Sequence, residues 1–390
     1  MAIVRKSGAI RVTLNRAADL IRSRIKSNLF HRPVLILGAP GIGKSYIFSE
    51  MAKELGAELR TAHLENMEAV DIDGMPIPVP GKGECAFAPN KLFVFDPGKK
   101  YILLLDELTS CNPATQLAAM KLMLDRTIAG DTKIPDSVFI VAAGNRSEDG
   151  SKVYTLLSTA SNRLAHLEIE NDVSNWLTWG RQNGIHPNIL GFIGYKPSYL
   201  HMMDEEQAAA TEDGVKKSSN TGRYSGPWYS NRSVAAASDL VWAVDNGEID
   251  EGDLHDQIAM ECGEAFALEF CAFRKVAGAY DNVRDIMLDP TKKVSIPQKA
   301  DMKFAFASAV VYNVWKAHDD TEQEALVQGF YRIINDAGMD SSFATKIWTE
   351  AQEGSANVDK IKACHILVDE HLTEFSVASK KMHKDQLAKV

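Results

Sequence analysis

Short apolar runs alternate with stretches of helical periodicity over the first 170 residues. Runs that predict strands lie at residues 33–37, 101–105, 138–143 and 164–169, and the more polar residues 58–64 suggest a further strand. Residues 45–55 and 113–125, between these runs, have the spacing typical of helices. Strands that are apolar throughout and alternate with helices indicate a parallel sheet buried on both faces. The pattern therefore predicts an α/β fold.

Residues 11–29 precede this alternation and predict one amphipathic helix. Leu14, Ala18, Ile21 and Ile25 recur at helical spacing, and basic residues lie between them. The basic residues include Arg16, Arg22 and Arg24, and we expect these arginines to face water, because charged helix faces are usually solvated. Contact with a ligand or with a neighbouring chain is the alternative.

Beyond residue 170 the strand signals fade and helical ones take over. Residues 203–222 are polar with few bulky apolar residues, which predicts a long flexible insertion. Helices are predicted at residues 232–245, 255–279, 301–317 and 323–337. The expected organisation is an N-terminal helix at 1–29, an α/β core at 30–170, a helical domain at 171–310 that contains the insertion, and a helical C-terminal region at 311–390.

Composition narrows the class of protein. The 390 residues are 45% apolar and 24% charged, which is ordinary for a globular protein with several cores. The net charge of −9 disfavours a protein that wraps DNA or coats an anionic membrane. The five cysteines form no C-x-x-C pair, and no apolar stretch reaches the roughly 18 residues of a membrane span. We therefore expect a cytoplasmic location and no membrane contact.

A glycine-rich loop lies between the first apolar run and a helix. Residues 38–45 satisfy the pattern G-x-x-x-x-G-K-[ST]. Glycines let backbone N–H groups crowd around phosphates, and the helix N-terminus adds partial positive charge. Lys44 suits the β- and γ-phosphates and Ser45 suits Mg²⁺, so the loop predicts an ATP and Mg²⁺ site. The predicted nucleotide-binding residues here are Gly38, Ala39, Pro40, Gly41, Ile42, Gly43, Lys44, Ser45 and Tyr46.

Two further strand ends carry polar residues of the kinds that phosphoryl transfer uses. Asp106 and Glu107 follow the run at 101–105. Asp106 suits Mg²⁺ held through a water shell, and Glu107 suits polarisation of the attacking water. Asn145 follows the run at 138–143, where an amide can orient that water or contact the γ-phosphate. A plain turn residue is the alternative for Asn145, because Gly-Asn is a turn signal.

These motifs and a downstream Asn162-Arg163-Leu164 resemble the AAA+ ATPases, and most closely their MoxR-like, dynein-related branch. The resemblance lies in the segments LGAPGIGKS, LLLDELTSCNPATQLAAMKLML, FIVAAGNRSEDGS and NRLAHLEIENDVSNWLTWGRQNGIHPNILGFI. It covers residues 30–245 and extends less specifically towards residue 310. It implies a P-loop NTPase core with a central parallel sheet flanked by helices, followed by an all-α lid.

The resemblance also implies roles for single residues. Asn145 matches the first sensor. Arg163 matches the arginine finger, which reaches the γ-phosphate bound by the next subunit and stabilises charge there. A surface salt bridge is the alternative for Arg163. Arg126 and Arg146 also lie near the site in sequence, and Arg146 is a second candidate for a trans-acting arginine.

The second sensor of the lid is matched by Arg232. It lies in the segment Ser230-Asn231-Arg232, before a predicted helix, and we expect it to bind nucleotide. The family's usual proline is replaced here by Asn231. Arg223 is the competing candidate.

The resemblance implies a ring, expected to be a hexamer, with ATP at the subunit interfaces. Hydrolysis would remodel a protein partner in a chaperone-like way, and relatives often act with a separate protein that carries a von Willebrand factor A domain. Loops at residues 74–90 and 126–135 match pore-facing insertions, with plain surface loops as the alternative. An ATP-driven nucleic-acid motor or loader is the second hypothesis. A scaffold without turnover is the third, and the full set of catalytic residue types disfavours it.

Overall fold

A computed structural model shows two compact units. The first extends up to Asp172, and the second contains Val173–Met202 and the chain from Gly226 onward. The structure describes residues 10–29, 32–130, 132–146, 154, 162–202, 226–278, 282–289, 291–292, 297, 299–317 and 319–336. The predicted insertion at 203–222 and most of the predicted C-terminal region lie outside these residues.

The first unit is built on a parallel sheet of six strands. The strands of this unit are β1 (Ile10–Thr13), β2 (Val34–Leu37), β3 (Glu58–His63), β4 (Met75–Val79), β5 (Glu84–Ala88), β6 (Tyr101–Asp106), β7 (Thr127–Ile128), β8 (Thr132–Lys133), β9 (Val138–Gly144) and β10 (Ala165–Glu170). The order across the large sheet is β1-β10-β2-β9-β6-β3, with every neighbouring pair parallel. Strands β4 with β5, and β7 with β8, form two antiparallel hairpins. The predicted α/β class is confirmed.

Helices cover both faces of this sheet. They are α1 (Leu14–Lys26), α2 (Lys44–Leu55), α3 (Ala69–Asp73) and α4 (Pro113–Asp125). Alternate residues of a strand point to opposite faces. In β6, Ile102 and Leu104 therefore pack with residues of α1 and α2, while Leu103 and Leu105 pack with residues of α3 and α4. The inner strands β2, β6 and β9 are buried on both faces, as their uninterrupted apolar sequence indicates.

The prediction of a single helix over residues 11–29 is wrong at its start. Residues 10–13 form β1, which pairs with β10 at the edge of the sheet. Three of these four residues are β-branched, which favours a strand. The Thr13 side chain then accepts the Arg16 N–H at 3.4 Å and caps α1. Because Ala17 and Ile21 are fully buried in the core, α1 belongs to the first unit and is no separate segment.

The described residues of the second unit form helices and no strand. The helices are α5 (Val173–Gln182), α6 (Pro187–Tyr195), α7 (Asn231–Asp245), α8 (Leu254–Cys262), α9 (Glu264–Gly278), α10 (Val283–Leu288), α11 (Ala300–Trp315) and α12 (Asp320–Asp336). Phe192 lies at the centre of an aromatic core, with ring centroids of Phe266, Phe270 and Phe273 between 5.3 and 5.8 Å away. This agrees with the helical periodicity beyond residue 170.

Two predicted boundaries in this unit differ from the structure. The predicted helix at 255–279 is divided into α8 and α9 at Gly263. Gly263 has a φ of 87°, a left-handed conformation that ends a helix and that glycine adopts without strain. The predicted boundary at residue 310 falls inside α11.

Short 3₁₀ turns occur at Leu64–Asn66, Lys91–Phe93, Pro197–Leu200 and Glu251–Asp253. None of the helices in the described ranges is long and apolar enough to cross a lipid bilayer.

A buried histidine lies in a polar network at the start of α6. The Asn188 N–H donates to Nδ1 of His186 at 3.0 Å, so the ring carries its proton on Nε2. Nε2 in turn donates to Asp245 at 2.8 Å, and Arg274 donates to the other oxygen of Asp245 at 2.7 Å. Burial lowers the pKa of His186, and the opposing effect of Asp245 is smaller. The neutral ring is therefore part of the folded structure.

The network predicts that the protein loses stability in mild acid. The pKa of His186 lies lower in the folded chain than in the unfolded one, where it is about 6.5, so the unfolded chain gains a proton first. Lowering the pH from 7.0 to 5.5 is then expected to lower the free energy of unfolding. His186→Asn keeps an acceptor for the helix cap but does not titrate. Its thermal midpoint should change less over this range. An equal change in both proteins would contradict the assignment.

Candidate nucleotide site

Three strand ends meet at one edge of the sheet. Strands β6, β9 and β2 are neighbours, with Leu105 beside Ala142 and Leu37 beside Gly144. Parallel strands present their carboxyl ends at the same edge, where ligands of such sheets bind. The loop at 38–45, the Asp106-Glu107 pair and Asn145 therefore lie together, although they are far apart in sequence.

Lys44 is held inside the glycine-rich loop. Gly43 has a φ of 104°, which glycine adopts without strain, and α2 begins directly after it. The Lys44 side chain is buried and its Nζ donates to the carbonyls of Gly38 at 2.8 Å and Ala39 at 3.1 Å. Nζ also donates to Oδ1 of Asn145 at 2.9 Å. The ammonium group thus links the loop to the end of β9.

Ser45 and Asp106 form the second link across this edge. The Ser45 hydroxyl donates to Oδ2 of Asp106 at 2.9 Å. The other carboxylate oxygen, Oδ1, accepts the Glu107 N–H at 3.0 Å. A hydroxyl and a carboxylate placed side by side are oxygen ligands of the kind that Mg²⁺ prefers. The two side chains assigned to the metal are therefore adjacent.

Glu107 has a strained backbone and a fixed side chain. Its φ of 57° is left-handed, which is uncommon outside glycine and concentrates at functional sites. Oε2 of Glu107 accepts from Nδ2 of Asn145 at 2.8 Å and from the Ser110 hydroxyl at 2.6 Å. The Asn145 side chain is thus buried and bonded to both Lys44 and Glu107, and its role in the reaction stays a prediction.

The arginines near the site differ in their surroundings. Arg163 is exposed in the turn before β10 and makes no hydrogen bond or ion pair with the residues that the structure describes, so the salt-bridge alternative is not observed. Arg146 lies 3.7 Å from the buried carboxylate of Glu168. Arg126 donates to two backbone carbonyls of its own subunit at 2.7 and 2.9 Å.

Three of the residues assigned from the sequence remain, namely Tyr46, Arg232 and its competitor Arg223. Tyr46 is exposed in the first turn of α2. Arg232 is exposed in the first turn of α7, in the second unit, where Ser230 and Ser233 form a capping box. Arg223 lies outside the described residues. The role of Arg232 as a lid sensor stays a prediction.

Two hydroxyl residues of the site do not figure in the sequence prediction. Ser110 is the second donor to Glu107. The Thr109 hydroxyl accepts the Asn145 N–H at 2.9 Å and donates to the Asn145 carbonyl at 3.1 Å. A Cβ atom at Gly144 would come within 2.6 Å of this hydroxyl, so glycine is needed there. The sequence contains one indication of them, two consecutive hydroxyl residues at the second and third positions after Glu107.

The fold and the site together define a P-loop protein that hydrolyses a nucleoside triphosphate. Residues 33–159 match the family described as AAA domain (dynein-related subfamily). The match spans about a third of the chain, and with the P-loop site it makes the chain an ATP hydrolase that is similar to this family over that segment. No curated protein matches the chain.

Several solved structures show similarity at low identity. A proposed ATPase from Cytophaga hutchinsonii is 15% identical, with 63% of this chain and 81% of that one covered and a TM-score of 0.33. The RuvB Holliday junction branch migration motor of Thermotoga maritima is 13% identical, with 73% and 81% covered and a TM-score of 0.34. A single-residue variant of the same RuvB is 13% identical, with 73% and 77% covered and a TM-score of 0.35.

Proposed function

We propose that the protein is a MoxR-like AAA+ ATPase that hydrolyses ATP at the subunit interfaces of a ring, expected to be a hexamer, and thereby remodels a protein partner. One observation carries this proposal. Lys44, Asn145 and Glu107 form a hydrogen-bonded cluster within one chain, while Arg163 is exposed and makes no hydrogen bond or ion pair with the described part of that chain. An exposed arginine of this kind supports a site that a second copy of the chain completes.

Ser45 and Asp106 are the residues that would hold Mg²⁺, with Asp106 acting through water. Their oxygen atoms are adjacent and Asp106 is buried, so the donor set fits a hard cation. When bound, Mg²⁺ supplies charge neutralisation at the β- and γ-phosphates. A chain without one of these oxygens should require more Mg²⁺ for turnover.

The protein's own groups account for the rest of the reaction. Lys44 would exchange its carbonyl partners for phosphate oxygens, which are stronger acceptors for an ammonium group. Glu107 would accept the proton of the attacking water, and Asn145 would orient that water. Arg163 of the neighbouring subunit would stabilise the charge that develops on the transferred phosphoryl group.

An exposed apolar hairpin supports a polypeptide as the substrate. Met75, Ile77 and Phe87, on β4 and β5, are 59%, 49% and 46% exposed. A Cβ atom at Gly130 would lie 3.6 Å from the Phe87 ring, so the β7–β8 hairpin lies beside this one. Exposed apolar side chains on β4 and β5 suit an unfolded segment better than a phosphate backbone, which basic groups bind. We assign this surface to the pore.

The substrate proposal predicts which polymer accelerates turnover. Reduced, unfolded α-lactalbumin should raise the ATPase rate severalfold, and neither single-stranded nor duplex DNA should do so. The double substitution of Ile77→Ser and Phe87→Ser should remove the stimulation but leave the basal rate. Leu29→Ser, at an equally exposed apolar residue after α1, should behave as wild type. Stimulation by DNA alone would favour the nucleic-acid motor instead.

A further inference from the structure

In the turn after β6, Ser110 bonds to Glu107 through both its backbone and its side chain. The Ser110 N–H donates to the Glu107 carbonyl at 2.9 Å, and the Ser110 hydroxyl donates to Oε2 of Glu107 at 2.6 Å. Hydrogen bonds to an ionised carboxylate are stronger than those between neutral groups. Ser110 therefore restrains a side chain that otherwise has three rotatable bonds.

The same carboxylate oxygen is held from a second side. Nδ2 of Asn145 donates to Oε2 at 2.8 Å, so two donors share one oxygen of Glu107. Within the described parts of the chain, no donor bonds to the other oxygen, Oε1. The two oxygens are thus unequal, and Oε1 is the one available to accept a proton.

The position of Asn145 is itself fixed by the same turn. Thr109, next to Ser110, is buried and exchanges two hydrogen bonds with the backbone of Asn145. The Leu108 N–H donates to the carbonyl of Ala143 at 2.9 Å. The turn at 108–110 consequently fixes the positions of Ser110 and Asn145, the two residues that donate to Glu107.

We propose that Ser110 is a positioning residue for ATP hydrolysis. It acts with Asn145 to hold Oε2 of Glu107, so that Oε1 accepts the proton of the attacking water. The inference rests on the proposed role of Glu107 as the general base. A donor of this kind acts on the chemical step and leaves the binding of ATP unchanged.

Ser110→Val and Ser110→Thr provide the test. Valine and threonine have almost the same shape, and only threonine has a hydroxyl. For Ser110→Val we expect kcat to fall about tenfold at unchanged KM for ATP, and for Ser110→Thr we expect kcat to stay near wild type. If the role of Ser110 were merely structural, kcat would fall equally in both variants or the KM for ATP would change. Equal turnover of the two variants, or a rise in Ser110→Val, would overturn the proposal.

A double-mutant cycle separates this inference from the proposed function. In a Glu107→Gln background, Ser110→Val should cause little further loss, because the base it positions is gone. Cys111→Ala is the matched control, since its thiol bonds to the Leu108 carbonyl in the same turn but does not contact Glu107. It should keep the wild-type rate. If Glu107→Gln is fully active, the proposed function fails. If Glu107→Gln is inactive and Ser110→Val hydrolyses ATP at the wild-type rate, only the proposed positioning role of Ser110 is disproved.

Discussion

Glu107→Gln is expected to lower the rate of ATP hydrolysis by roughly 10²- to 10⁴-fold, which is the usual contribution of a general base. Glutamine has almost the same shape and can still accept from Ser110 and Asn145 through its carbonyl oxygen. The amide cannot take a proton from water. The affinity for ATP should therefore stay near that of the wild type, because Lys44 and the glycine-rich loop are unchanged.

The measurement is a single-turnover assay beside equilibrium binding of a fluorescent ATP analogue. Glu50→Gln, on the exposed side of α2, is a suitable control and should hydrolyse ATP normally. Normal turnover by Glu107→Gln would show that the base lies elsewhere. If the wild type itself hydrolyses no ATP at concentrations where it assembles, the scaffold hypothesis is favoured.

The same variant offers a way to identify the partner. Held with ATP, it should remain in the state that retains bound proteins, because the step that releases them is blocked. We expect at least one protein to be retained in this state. A variant that cannot bind nucleotide, Lys44→Ala, is the control and should retain less of that protein.

Much of this site could be predicted because the relevant residues follow apolar strands. A buried parallel strand is easy to find, and its carboxyl end is where ligands bind. Once residues 101–105 and 138–143 are assigned as strands, Asp106 and Asn145 must lie at one edge if those strands are neighbours. The strand order, which no local pattern contains, is what the structure adds.

The failures of sequence reasoning have physical causes as well. Residues 10–13 become a strand because β10 offers a free edge for pairing, and that edge is a tertiary feature. The helix predicted at 255–279 breaks because Gly263 adopts a left-handed φ. Ser110 and Thr109 are ordinary polar residues in sequence, and only folding brings their hydroxyls to Glu107 and Asn145.

Arg163→Ala is expected to lower kcat by roughly 10³-fold or more, since an arginine finger contributes that much to phosphoryl transfer. ATP affinity should change little, because the arginine acts on charge that develops in the transition state. Specific activity of the wild type should also rise with protein concentration, as the ring assembles. Arg22→Ala is the control, because this residue pairs with Asp19 and Glu54 on the surface of its own chain. Turnover near that of the wild type in Arg163→Ala would contradict the assignment.

Mixing two inactive variants distinguishes action within a chain from action between chains. Glu107→Gln subunits keep Arg163, and Arg163→Ala subunits keep Glu107. Wherever an Arg163→Ala subunit meets the arginine of a Glu107→Gln neighbour, the interface contains both groups and should hydrolyse ATP. An arginine that acts within its own chain would give no recovery, because neither chain carries both groups. Replacing the first partner by the double variant of Glu107→Gln and Arg163→Ala must remove the recovered activity, since no finger is then available to any intact site.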